Sequence, residues 1–385
     1  MGHTENDVDL LLAEARELIA EPEETSIHPK RTPDRKSAVR IILGVFGKTL
    51  CVLLETVLLA AVALYGIMFV LAKGPSPTAR DIFVLSVRET SAVGFLANLF
   101  FTDEEIAQIE AGGNTTEFED IDTSLIVIPK PTQPDDPQQG PKPDAWGLVD
   151  EDGDGIIIDP VKGEGFSGYM MVVQDPSRVI MASKPEAFGH RGYTVAQMVE
   201  EFDAVAGINA GGFYDPNGQG NGSIPDTMVI YDGQIYYPEF GSAAGFVGID
   251  SNYIMHVGRF TAAQAKDKNI QYGVGFGPVL IANGEAVSNA ASGVNPRTGI
   301  GQRSDGAILM LVIDGRQVSS LGATYQDMTE IFFSYGAVNA CNLDGGSSSM
   351  MWYQGGYINT CASVVGIRPV PTTFLVLKEG RSGNG

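Results

Sequence analysis

Ala337-Val338-Asn339-Ala340-Cys341-Asn342-Leu343-Asp344-Gly345-Gly346-Ser347-Ser348-Ser349 is an apolar, strand-like run that ends in a carboxylate, two glycines and three hydroxyls. Such a chain runs through a sheet and then closes tightly, because glycine reaches backbone conformations that other residues avoid. An anion is thereby set beside several hydrogen-bond donors, which predicts a functional site at a strand end.

Working outward, Val205-Ala206-Gly207-Ile208 leads into Asn209-Ala210-Gly211-Gly212-Phe213-Tyr214, another apolar approach closed by a polar residue, glycines and aromatics. Pro296-Arg297-Thr298-Gly299-Ile300-Gly301 sets an arginine among small residues. Leu309-Met310-Leu311-Val312-Ile313-Asp314-Gly315-Arg316 reads as a strand buried on both faces that ends in a second carboxylate. Further strand-like runs lie at 169–173, 179–182, 228–231, 234–237, 279–282, 308–313 and 373–377, and Asp232-Gly233 and Asn283-Gly284 are hairpin signals. Helical patterns at 194–202, 261–268 and 325–335 do not alternate regularly with the strands. The predicted class is α+β, with a largely antiparallel or mixed sheet and flanking helices.

In this order the segments resemble the motifs of the phosphodiester glycosidase family. The matching residues are Asn209 to Tyr214, Gly275-Phe276-Gly277-Pro278, Arg297 to Gly301, Asp314-Gly315, Leu343 to Ser349 and Arg368-Pro369-Val370, spanning 166–378. An ordered set is far more specific than any one member. Two departures stand out: Ser347 occupies the place of a usual third glycine, and Ala210 separates Asn209 from the glycine pair.

The resemblance implies cleavage between a sugar's anomeric carbon and a phosphate oxygen, on a carbohydrate phosphodiester. Phosphate leaves with little protonation, so such a site must stabilise oxocarbenium-like charge and position water or a nucleophile. Asp344 and Asp314 are then the expected carboxylate pair, and Arg297 the planar fork on the phosphate. Backbone N–H groups of Gly345 and Gly346, with the Ser347 and Ser348 hydroxyls, would complete the anion cradle. Asn209, Gly212 and Tyr214 would form the sugar side, Asn209 by hydrogen bonding and Tyr214 by stacking. Structural readings stand beside these: Asp314-Gly315 as a strand corner like Asp232-Gly233, and Arg297 as the partner of an internal carboxylate. A non-catalytic glycan-binding or polysaccharide-assembly module is the alternative function.

Around this domain, 161–380, the 385-residue chain carries accessory parts. Residues 49–72 are apolar apart from Glu55, and 24 residues at about 1.5 Å each cross a hydrocarbon layer of about 30 Å. Largely polar sequence precedes this run, so it reads as a retained transmembrane helix and not a cleaved signal. Lys30, Arg31, Arg35, Lys36, Arg40 and Lys48 place segment 1–48 in the cytoplasm and the C-terminal domain outside the cell membrane. Within 1–48, an amphipathic pattern occupies 8–20. Residues 73–160 form a juxtamembrane stalk, with six prolines between 129 and 144 marking an extended linker.

The chain holds 25 basic and 47 acidic residues; setting aside the seven and nine in 1–48, and Glu55, leaves 18 against 37. A surface this acidic excludes nucleic acid as a partner and obliges a phosphate-bearing substrate to find a local cation. Oligomeric state is not legible. Cys341 and Cys361 stand in the outer domain, where a disulfide between them is expected to brace the turn. Asp150-Glu151-Asp152-Gly153-Asp154-Gly155 begins like a calcium loop, but Val161 stands where a bidentate Glu is needed. Neither a metal nor a cofactor is expected.

Overall fold

The computed structural model describes residues 35–90, 93–112, 118, 120–129, 141–236, 244–287, 291–363 and 366–383. Two compact units are distinguished, one up to Tyr65 and one from Gly66 to Gly385. The amphipathic pattern at 8–20 and residues 130–140 of the proline-containing stretch lie outside the described residues.

Helix α1 (Arg35–Lys73) contains that boundary, and its Leu43–Lys73 portion is long and apolar enough to cross a membrane. Val52, Leu53, Leu54, Val57, Leu58 and Leu59 are all exposed, so among the described residues this apolar stretch of the helix is left uncovered by protein. In the second unit, helix α2 (Pro77–Arg88) starts at a Ser76 cap with proline in its first turn. Helix α3 (Asp103–Glu110) starts at a Thr102/Glu105 capping box. Phe83, Val84, Ala97, Phe101 and Ile106 gather with Ala72 into a small core of this arm.

Three antiparallel sheets follow, with strands numbered along the chain. The first has the order β1 (Ile156–Gly163), β2 (Phe166–Val173), β13 (Ile308–Ile313), β12 (Arg297–Arg303), β14 (Ala337–Leu343), β10 (Val279–Ala282), β11 (Glu285–Ala286). The second runs β16 (Gly356–Tyr357), β15 (Met351–Tyr353), β4 (Ala204–Asn209), β17 (Thr372–Leu377), β3 (Val179–Ser183). The third runs β6 (Gln234–Tyr236), β5 (Val229–Tyr231), β9 (Ile270–Val274), β7 (Ala244–Asp250), β8 (Met255–Phe260). The domain is therefore α+β with antiparallel sheets.

Strand β13 explains why its sequence does not alternate. Ile308, Met310 and Val312 enter the main core shared with the other sheets, while Leu309, Leu311 and Ile313 enter a second core. That second core also holds Met328 and Phe332 of helix α6 (Tyr325–Ser334). Helices α4 (Val195–Glu201), α5 (Ala262–Asp267) and α6 all start at threonine capping boxes. Asp232-Gly233 joins β5 to β6 and Asn283-Gly284 joins β10 to β11, each pair at positive φ, as a tight hairpin requires.

Candidate active site

Strands β13, β12 and β14 are neighbours, with Arg297 opposite Ile313 and Thr298 opposite Leu343. This register brings Asp314, Arg297 and Asp344 to one edge of the first sheet. Asp314 and Asp344 leave strands two apart, so their backbones are separated by roughly 10 Å at ~4.8 Å per strand. The second sheet meets this edge through β4, where the Asp344 N–H donates to the Ala210 carbonyl (2.9 Å).

Asn209 is the clamp at that junction. It is fully buried; its Nδ2 donates to the Asp344 carbonyl (2.6 Å), and its Oδ1 accepts from Thr298 Oγ1 and Met350 N, each at 3.0 Å. Its amide is thus satisfied inside the protein, and it shapes the turn from behind.

Asp344 stands at the mouth of the turn, partly accessible yet surrounded by protein. Burial pushes its carboxyl up to about 7; the Ser348 hydroxyl and Arg368 oppose the shift, while the charges of Asp226 and Asp215 add to it. Arg368 grips Asp215 with both Nη atoms at 2.7 Å, donates to Ser347 Oγ (3.2 Å) and the Gly220 carbonyl (3.0 Å), and lies over the Phe213 ring. For Asp215, burial alone would raise the pKa, but Arg368 and the Gly220 N–H together bring it below the ordinary carboxylate range. Burial raises Asp226 above it, despite its own backbone and Thr227. Neighbouring acids whose pKa values are driven apart suit proton transfer.

Gly212 borders the cluster, since a Cβ there would lie 2.7 Å from Asp226 Oδ2 and 2.9 Å from the Phe276 ring. Tyr214 is exposed, and its N–H donates to the Ile224 carbonyl (2.8 Å). In the turn itself, the Gly346 N–H donates to the Pro296 carbonyl (2.8 Å), so it holds the loop and is not directed at a ligand.

The other expected residues are drawn elsewhere. Buried Asp314 accepts at Oδ1 from Asn359 Nδ2 (3.2 Å) and Thr360 N–H (2.9 Å). Asn359 in turn receives the Met351 N–H (2.7 Å) and donates to the Ser349 carbonyl (3.0 Å), so Asp314 buttresses the serine turn at one remove. Arg297 is buried and bound within the fold, through Nη2 to Glu89 (2.7 Å) and the Gly293 carbonyl (2.6 Å) and through Nε to the Ala323 carbonyl (2.9 Å). It is the internal-carboxylate partner that the sequence admits as its second reading.

Cys341 and Cys361, expected to form a disulfide, are both free thiols in this structure. Cys341 is wholly enclosed on β14, close to the Pro278 carbonyl, and burial pushes its thiol up to about 12.

Sequence reasoning missed Asp215 and Asp226 as members of the site, and placed Arg368 only within a motif. Asp215 directly follows the Asn209–Tyr214 motif, a proximity that marks it; Asp226 has no such signal and arrives through the Phe213–Pro225 bridge.

Residues 202–377 match the family model described as phosphodiester glycosidase. The SPbeta prophage-derived uncharacterized protein YomE of Bacillus subtilis (strain 168) is 32% identical over 180 residues, 43% of this chain; the chain spans about a quarter (27%) of that relative's length. Among solved structures, the zebrafish N-acetylglucosamine-1-phosphodiester alpha-N-acetylglucosaminidase catalytic domain is 19% identical with a TM-score of 0.49, covering 58% of this chain and 82% of that one. A hypothetical protein from Synechocystis is 17% identical with a TM-score of 0.43, covering 58% and 62%.

Proposed function

We propose, from the premise that residues 202–377 form a phosphodiester glycosidase domain, that this chain hydrolyses the glycosidic bond of sugar-1-phosphodiesters. The observation that carries the reading is Asp344, a carboxylate titrating near neutrality, set beside Asp226 and the Arg368–Asp215 pair on a glycine turn.

In this reading ionised Asp344 takes a proton from the water that attacks the anomeric carbon. The bond from that carbon to the phosphate oxygen breaks, giving the free sugar and a phosphomonoester. Asp226 stabilises positive charge on the sugar, and Arg368 with Ser347 faces the departing phosphate. Gly212 leaves room for the sugar, and Tyr214, exposed beside Asp215, offers it a stacking face. Asp314, Arg297 and Asn209 are positioning residues that fix the turn without touching substrate.

The long apolar helix supports a membrane anchor, and the basic residues on its N-terminal side support an extracytoplasmic domain. Envelope or extracellular polysaccharide is the substrate such a location offers. Incubating the full chain in detergent with alkyl sugar-1-phosphodiesters, and identifying the products, tests the reading. Free sugar plus alkyl phosphate supports it. Binding without turnover points to a glycan-binding module, and cleavage on the alkyl side of phosphorus to a different reaction.

A further inference from the structure

Residues 66–73, the last turns of helix α1, belong to the second unit, and the arm packs against them. Met68 and Ala72 join Phe83, Val84 and Ala97 in one core, and Lys73 Nζ lies 4.4 Å from the centre of the Phe101 ring. Glu89 follows Val84 by five residues, about 8 Å along helix α2 at about 1.5 Å per residue. There the arm is bonded into the domain. Glu89 Oε1 accepts the Gly293 N–H (2.9 Å), its Oε2 accepts from Arg297 Nη2 (2.7 Å), and Ser86 Oγ accepts the Val294 N–H (2.9 Å). Gly293 permits the contact, since a Cβ there would lie 2.2 Å from Ser86 N. Arg297 opens strand β12, and the Pro296 carbonyl before it receives the Gly346 N–H of the site turn. A continuous run of packed and hydrogen-bonded contacts thus holds that turn to the end of helix α1. The attachment precedes the proline stretch at 129–144 in the chain, so that stretch does not set how far the turn stands from the helix.

Apolar side chains project from the segments at this junction. Phe95 and Leu99, 63% and 55% exposed, stand four residues apart on the 3-10 helix Gly94–Leu99, while Ala97 between them is buried in the arm core. Arg316 Nη2 donates to Thr90 Oγ1 (2.8 Å), which ties the arm to the hairpin at 316–321. In that hairpin the Gln317 N–H donates to the Ser320 carbonyl (2.9 Å) and the Ser320 N–H to the Gln317 carbonyl (3.2 Å), so Val318 stands fully exposed at the tip. Leu321, 60% exposed, is fixed by its N–H to the Gly165 carbonyl (2.7 Å). A single exposed apolar side chain is ordinary on a water-facing surface. Several on two hydrogen-bonded segments, next to the end of an apolar helix, mark a face that meets something apolar.

Helix α1 supplies the occupant. Its apolar Leu43–Lys73 portion has 31 residues, more than the roughly 20 that a hydrocarbon layer takes. A span of about 20 residues that ends at Met68, where the arm begins to cover the helix, starts at Thr49 and brings the bilayer surface level with the arm. We propose that the arm and the 316–321 hairpin rest on the bilayer, with Phe95, Leu99, Val318 and Leu321 entering its near leaflet. The proposal depends on the membrane-anchor reading and goes beyond it: the domain does not swing on a tether, and its site turn works at the lipid surface. Asp103, Glu104 and Glu105 in the first turn of helix α3 suit zwitterionic and not anionic headgroups there.

The test reconstitutes the full chain into phosphatidylcholine vesicles, with Phe95→Trp, Val318→Trp and Val127→Trp as separate variants. Val127 is also exposed, but its N–H donates to the Ser304 carbonyl (2.8 Å), past the far end of the seven-residue strand β12. That end is roughly 20 Å from Arg297 at about 3.3 Å per residue. Fluorescence is compared between plain vesicles and vesicles with acyl chains brominated near the glycerol, after subtraction of the wild-type signal from Trp146 and Trp352. Phe95→Trp and Val318→Trp should each lose about half of the added emission in brominated vesicles, and Val127→Trp about a tenth or less. Thermal melting checks folding and flotation checks insertion; if Phe95→Trp does not fold, Leu99→Trp takes its place. A chain that floats with the vesicles while both arm and hairpin tryptophans stay bright overturns the docking face alone. A chain that does not float overturns the anchor as well. Quenching of Val127→Trp equal to the others also overturns the proposal, because it describes a domain tumbling against the bilayer.

Discussion

Asp344 owes its chemistry to its surroundings, since an aspartate in water would be ionised at neutral pH and a poor proton carrier there. Burial, Asp226 and Asp215 lift it to about 7, against Ser348 and Arg368, so protonated and ionised forms coexist near neutral pH. Asp344→Asn should lower turnover by about a thousandfold or more with folding retained, measured on one phosphodiester beside a thermal melt. The same shift fixes the sign of a stability effect. Between the unfolded value near 3.8 and the folded value near 7, the native state holds a proton that the unfolded chain has lost. Stability therefore falls as pH rises through that window. Asn cannot titrate, so the melting temperature of Asp344→Asn relative to wild type should be higher at pH 8 than at pH 5; a difference independent of pH would place the titration elsewhere. The thiols make a separate prediction: Cys361 should alkylate in the native protein and buried Cys341 only after unfolding, and a mass lacking both adducts in unfolded, unreduced protein would restore the disulfide.

At the scale of elements, the Leu343–Ser349 turn is held from three sides. Asn209 ties it to β4, the Pro296 carbonyl receives the Gly346 N–H, and Asn359 links it to Asp314. Gly346 adopts φ +61 with Arg316 against its Cα face. Gly346→Ala should cost about 1–2 kcal/mol in a denaturant titration, from left-handed backbone strain alone, and should shift the turn enough to reduce turnover. Asp314 behaves differently, because both of its contacts at Oδ1 are accepted hydrogen bonds that an amide oxygen can also accept. Asp314→Asn should keep turnover within about tenfold of wild type, the worth of one such hydrogen bond. A thousandfold loss would instead return Asp314 to the reacting pair.

At the scale of the whole molecule, charge and hydropathy divide the work. The apolar helix offers an anchor, and the acidic surface repels nucleic acid and anionic headgroups, while near the turn Arg297 and Arg368 are cations largely enclosed by protein. Protease added to intact cells should digest the domain beyond Lys73 and spare the residues before Leu43, as read by antibodies to each end. Protection of the domain would reverse the orientation.

What the residues dictate locally was legible in the chain. Asp232-Gly233 and Asn283-Gly284 specify their hairpins because only such pairs tolerate two positive φ values, and 308–313 reads as a buried strand because both faces lack polar residues. The apolar helix and the ordered motifs are equally local, and so were visible. Tertiary packing decided the partners. Arg297 lies in the motif as expected, but whether its fork meets a ligand or Glu89 depends on an arm about 200 residues away in sequence. Asp226 and Asp215 join Asp344 through contacts between sheets, and no periodicity records those. Cys341 and Cys361 occur within 20 residues of each other, yet packing encloses Cys341 on β14 and leaves Cys361 partly accessible, with both thiols free. Sequence sets the elements through short-range backbone and hydropathy preferences; which side chains face one another follows from how those elements pack.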